Sequence, residues 1–146
     1  MPHRMLFATA AVVSLIAVGA RAQEKAVQFQ ATLNGASEVP PAEVSATGSL
    51  KAKLDPQTHE LTYTLTYQNL SAPPTAAHFH GPADPGKNAG VQVGIQPPFT
   101  SPATGTAKLS SQQESELQAG KWYVNVHTQA HPDGEVRGQV LKEGGM

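Results

Sequence analysis

The sequence predicts an all-β domain, a sandwich of antiparallel sheets with one short helix, and three observations predict it. Thirteen glycines and twelve prolines fall between short runs rich in Val, Thr, Tyr, Phe and Leu, the punctuation of strands joined by turns. Within those runs apolar and polar residues alternate with period two, the pattern of a half-buried strand. One stretch alone, from Ser111 to Gly120, carries helix start and stop signals.

Ahead of the domain stands an address. Met1-Pro-His-Arg4 is a short positive start, an apolar run follows, and Ala20-Arg21-Ala22 is a small-x-small cleavage site. The reading is a signal peptide over 1–22 and one domain over 23–146. The apolar run is shorter than a bilayer span prefers, so no transmembrane span is expected once it is removed.

In the first strand, expected over 26–33, Val27, Phe29 and Ala31 alternate with glutamines and a threonine, and Asn34-Gly35 ends it. A loop with Pro40-Pro41 leads to a strand over 50–54. Asp55-Pro56 then turns the chain into 59–69, where Leu61, Tyr63, Leu65 and Tyr67 alternate with threonines, so these two strands read as a hairpin. Three short strands are expected over 75–80, 91–95 and 104–109, separated by proline and glycine turns. A helix over 112–119 follows, with Ser111 and Glu114 as a capping box and Gly120 as its stop. Strands over 122–127 and 135–141, joined across His131-Pro-Asp-Gly134, close the domain.

Composition removes whole classes of function. The chain has no cysteine, which excludes disulfides, thiolate metal sites and thiol nucleophiles. Ten Lys and Arg against eleven Asp and Glu, with no basic run, offer nothing to a phosphate backbone, so no nucleic-acid partner is expected. No nucleophile elbow joins the serines, histidines and acids into a hydrolase site.

The histidines carry the chemistry. His59 lies beside a turn and reads as solvated. His78 and His80 are two apart on one strand, hence on one face at roughly 6.6 to 6.8 Å, a spacing that lets both reach one ion. Parity places Ala77 and Phe79 on the other face, and in the later strand Trp122, Val124 and Val126 oppose Tyr123, Asn125 and His127. All three histidines therefore leave the apolar side, and His131 is a further candidate ligand. Matching faces in the last hairpin pairs residues whose numbers sum to an even value, which sets His127 opposite Glu135 and Arg137 opposite Asn125. Glu135 and Asn125 then belong to the shell behind the ligands, Glu135 orienting an imidazole. Arg137, diagonal to His127, is placed to steer an anion towards the metal.

Gly35-Ala-Ser-Glu-Val-Pro-Pro41, Ala77-His-Phe-His-Gly-Pro-Ala83 and Trp122-Tyr-Val-Asn-Val-His-Thr128 followed by His131-Pro-Asp-Gly-Glu-Val-Arg-Gly-Gln139 resemble the CHRD domain, the module named after chordin. The similarity spans about residues 27 to 141. It implies a Greek-key sandwich like that of copper/zinc superoxide dismutase or of the immunoglobulin class, in which His78, His80 and His127 take the copper-ligand positions. Between Gly81 and Gly90 this chain has no histidine, so the dismutase's metal-bridging and zinc-ligating histidines lack counterparts. The resemblance thus implies a zinc-free copper site, with His131 as a fourth ligand or a ligand to a second copper ion.

Imidazole ligands suit copper, zinc, nickel or iron, and among divalent ions affinity favours copper(II). The expectation is an exported protein, periplasmic or secreted, that binds copper for storage, delivery or tolerance, its partner a copper-exchanging protein. A copper-only superoxide dismutase, with superoxide as substrate, and a metal-free extracellular interaction module are the alternatives.

Overall fold

The computed structural model describes residues 24–144; the expected leader lies outside them. The strands are β1 (Val27–Asn34), β2 (Thr47–Asp55), β3 (Glu60–Gln68), β4 (Pro74–His80), β5 (Val91–Gly94), β6 (Ala103–Lys108), β7 (Trp122–Thr128) and β8 (Val136–Lys142), with helix α1 (Ser111–Gln118) between β6 and β7. Pairing is antiparallel throughout, in the order β5-β4-β7-β8-β1-β2-β3-β6. The two layers of the sandwich are joined, because β1 and β8 pair through Asn34 with Arg137 and Gln30 with Leu141. The sheet nearly closes on itself, and Tyr63 of β3 meets Phe79 of β4 edge-on at 5.3 Å across the core. No helix among the described residues is long and apolar enough to cross a membrane.

The hairpin of β2 and β3 shows how alternation becomes packing. Asp55 accepts the Gln57 backbone N–H at 2.8 Å and tightens the turn. The register sets Leu50 against Leu65 and Leu54 against Leu61, so four leucines enter the core together. On β4, β7 and β8 the apolar parity holds at every position: Phe79, Trp122, Val124, Val126, Val136 and Val140 are all fully buried.

Helix α1 starts one residue earlier than the capping expectation. Ser110, not Ser111, accepts the Gln113 backbone N–H at 3.2 Å, and the Gln113 side chain accepts from the Ser110 N–H at 2.9 Å. Glutamine completes a capping box as well as glutamate does, which frees Glu114 to pair with His59 at 2.7 Å. Gly120, at φ +71, ends the helix as expected. Ser110→Ala is expected to lower stability by about 1 kcal/mol, read as a shifted midpoint in urea unfolding.

The outer face of β4, β7 and β8 is covered over its middle. Tyr123, Asn125 and Arg137 are as buried as the core opposite them. The segment after β4 lies over this face, tied down by Gly81 N–H to the Gly90 carbonyl and by the Arg137 and Tyr123 side chains. His80 is therefore set beneath that roof, while His78 and His127 stay half-buried at its edge.

Candidate metal centre

The β4–β7 register puts His78 opposite Asn125 and His80 opposite Tyr123, with His127 paired to Ala76 and so diagonal to His78. Such diagonal neighbours are within reach of one another's long side chains. His78 Nδ1 and His127 Nε2 stand 3.2 Å apart. One nitrogen from each of His78, His80 and His127 lies within 4.8 Å of the other two. Two ligands about 2.0 Å from one ion in tetrahedral geometry are roughly 3.3 Å apart, so His78 and His127 already have the right spacing. His80 has on the order of an ångström to close.

Two rings are held in a defined tautomer by backbone carbonyls. His127 Nδ1–H donates to the Pro132 carbonyl at 2.8 Å and leaves Nε2 facing the cluster. His80 Nδ1–H donates to Ala89 at 3.0 Å, and its Nε2 stands 3.1 Å from Asn125 Oδ1. Fixing one nitrogen this way makes the other available as a ligand in His127, whereas in His80 the Asn125 amide must turn away from Nε2 before that nitrogen can ligate. Burial, then the neighbouring His127 and His80, lower the His78 pKa. Burial lowers that of His80 too, with His127 and Arg137 adding to it and the hydrogen bonds to Ala89 and Asn125 opposing it without matching it. Both rings are thus biased to the neutral form that a metal requires.

A model of the CHRD domain matches residues 29–140, nearly the whole described domain. This chain belongs to the CHRD domain family. Among curated proteins and among solved structures nothing matches significantly.

In this CHRD domain the other expected site residues are arranged less simply. The last hairpin has the expected register, Asn125 opposite Arg137 and Val126 opposite Val136. Asn125 stands between His80 and the Glu38 carboxyl. Glu135 does not orient an imidazole: its carboxylate accepts from Ser71 N–H at 2.6 Å, from Ser71 Oγ at 3.0 Å and from Thr128 Oγ1 at 2.6 Å. Burial pushes its pKa up, but those hydrogen bonds and nearby His131 outweigh it and hold the carboxyl below its usual range. The carbonyls of Ala89 and Pro132 do the orienting instead. His131 lies outside the three-histidine group; its backbone closes the turn onto Thr128.

Arg137 is 2% exposed. Its Nη1 donates to Asn88 Oδ1 at 2.9 Å and its Nη2 to the Lys87 carbonyl at 2.5 Å, and its guanidinium carbon lies 3.4 Å from the Tyr123 ring centroid. It holds down the roof rather than facing solvent. Sequence reasoning missed Glu38, Tyr123 and Ala89. For Glu38 the signal was an acid directly before Val39-Pro40-Pro41 in a proline-rich loop.

Proposed function

We propose that this CHRD-domain protein is exported and binds copper through His78, His80 and His127, in storage, delivery or tolerance. The observation that carries the reading is the convergence of three imidazole nitrogens, two of them on rings held in one tautomer by backbone carbonyls. The cluster offers imidazole nitrogen alone, and copper heads the divalent affinity order for such ligands. Bound copper would supply one-electron chemistry at a site whose third histidine is nearly covered.

Binding fits better than catalysis. A dismutase draws superoxide in with an accessible cation, and the one expected to serve, Arg137, is buried with donors committed to Asn88 and Lys87.

Protein recovered from the periplasm or medium, beginning at Gln23, is expected to carry one copper per chain by elemental analysis. His78→Ala/His127→Ala should carry none, while His59→Ala, whose ring pairs with Glu114 outside the three-histidine group, should carry as much as wild type. Equal copper in the wild type and the double variant would sink the reading.

A further inference from the structure

His80, Tyr123 and Arg137 form a column through the sheet. Strand β7 runs between β4 and β8, with Tyr123 directly opposite His80 on one side and diagonal to Arg137 on the other. The His80 and Tyr123 rings are parallel within 2°, their centroids 4.8 Å apart, and the guanidinium rests on the tyrosine. A guanidinium never loses its charge in a protein. Its hydrogen-bond acceptors here, Asn88 and a backbone carbonyl, are neutral. Among the described residues Arg137 makes no ion pair.

The ligand group itself consists of neutral imidazoles with no carboxylate in it. The acid nearest the column is Glu38, which burial pushes up to about 7, so it offsets the guanidinium only in part at neutral pH. Glu135 spends its charge on Ser71 and Thr128. An ion held by these histidines therefore feels a positive charge behind His80 that is only partly offset.

We infer that the Arg137–Tyr123 column sets the charge preference of the histidine centre, so that it favours a monovalent soft cation of the copper(I) or silver(I) class over a divalent one such as zinc(II). This deepens the reading of the three histidines as a metal site and rests on it. The repulsion scales with the charge of the ion, so a divalent ion suffers it twice over. At the separation of two stacked layers, with an effective dielectric near 20, the extra unit charge corresponds to roughly a tenfold loss of affinity. The order that puts copper(II) first ranks divalent ions against one another and does not oppose this.

The test uses silver(I) and zinc(II), which need no reductant, in competition titrations at pH 7 on wild type, Arg137→Met and Arg137→Lys, with a short unstructured peptide holding three histidines as reference. Wild type, with Glu38 partly ionised, should show a silver-to-zinc affinity ratio severalfold above the peptide's. Arg137→Met, which keeps the stem and removes the charge, should lose that margin, and Arg137→Lys should keep most of it. Using the ratio cancels any loss of affinity common to both ions. Glu38→Gln removes the one partly compensating carboxyl and should raise the ratio severalfold, a result that decides the matter even if Arg137→Met does not fold. A wild-type ratio equal to the peptide's, or a ratio unmoved by Glu38→Gln, overturns the inference and leaves the metal site standing. Binding of neither ion by wild type overturns both.

Discussion

Glu38→Gln is expected to stabilise the protein by up to about 3 kcal/mol at pH 8 and to change its stability little near pH 4.5. The Glu38 side chain is 5% exposed, and its Oε1 has no hydrogen-bond partner in the protein. The oxygen rests where a Cβ on Gly134 would come within 2.4 Å of it, and Gly134 has φ +128, so glycine is what makes room for the carboxyl. Burial is the largest influence on the group. Arg137, Asn125 and the Val39 backbone pull the other way without matching it, and the pKa is raised from 4.5 to about 7.

Between those two values the folded protein retains a proton that the unfolded chain has lost, so this group's contribution falls as pH rises and the full cost is present above pH 7. Glutamine has the shape of the protonated acid and cannot ionise. His78 and His80, with lowered pKa values, act in the opposite sense: below about 6.5 the unfolded chain takes up protons that the folded one refuses, and stability rises with pH there. Both proteins contain them, so they cancel in the comparison. Urea unfolding of the two proteins at pH 5 and pH 8 is the measurement. A difference that stays constant over that range would show that the carboxylate finds a partner when it ionises.

Glu38 also marks the boundary of what the sequence reveals. Strand parity assigned Phe79, Trp122, Val124 and Val126 to the core and His78, His80 and His127 to the other face, because a side-chain period of two leaves only two choices. The same parity fixed Arg137 opposite Asn125. Yet parity says which face a residue takes and nothing about what covers that face. The covering segments, around Glu38 and from Gly81 to Gly90, are rich in proline and glycine and have no period to read. Thus Arg137 and Glu135, whose strand register came out as expected, were given partners they do not have: Arg137 turns to Lys87 and Asn88 of the roof, and Glu135 to Ser71 before β4. The helix cap slipped for a smaller reason. Ser110 and Ser111 are equivalent as caps, and only the match of Gln113 rather than Glu114 to the backbone separates them.

Trp122→Ala is expected to cost about 3–5 kcal/mol, a large share of the 5–15 kcal/mol typical of a domain's whole stability. Trp122 is fully buried where three pieces of the fold meet. Its Nε1–H donates to Glu116 Oε2 at 3.2 Å and so fixes the end of α1 against β7. Its ring lies 6.1 Å from Phe79 in the core. The Gly81 backbone, immediately after His80, passes so close that a Cβ there would come within 2.4 Å of Trp122 Cδ1. The tryptophan is thus the floor beneath the start of the roof, on the opposite face of the strand from Tyr123. Alanine leaves a cavity that packed neighbours fill only in part and removes the surface on which Gly81 rests. Guanidinium unfolding should report the loss. Amide exchange at Gly81, whose N–H bonds the Gly90 carbonyl, should accelerate more than exchange in the β2–β3 hairpin, which Trp122 does not support. Trp122→Phe, which refills most of the volume, should recover more than half of the lost stability, and a loss below about 1 kcal/mol in the alanine variant would contradict the packing described here.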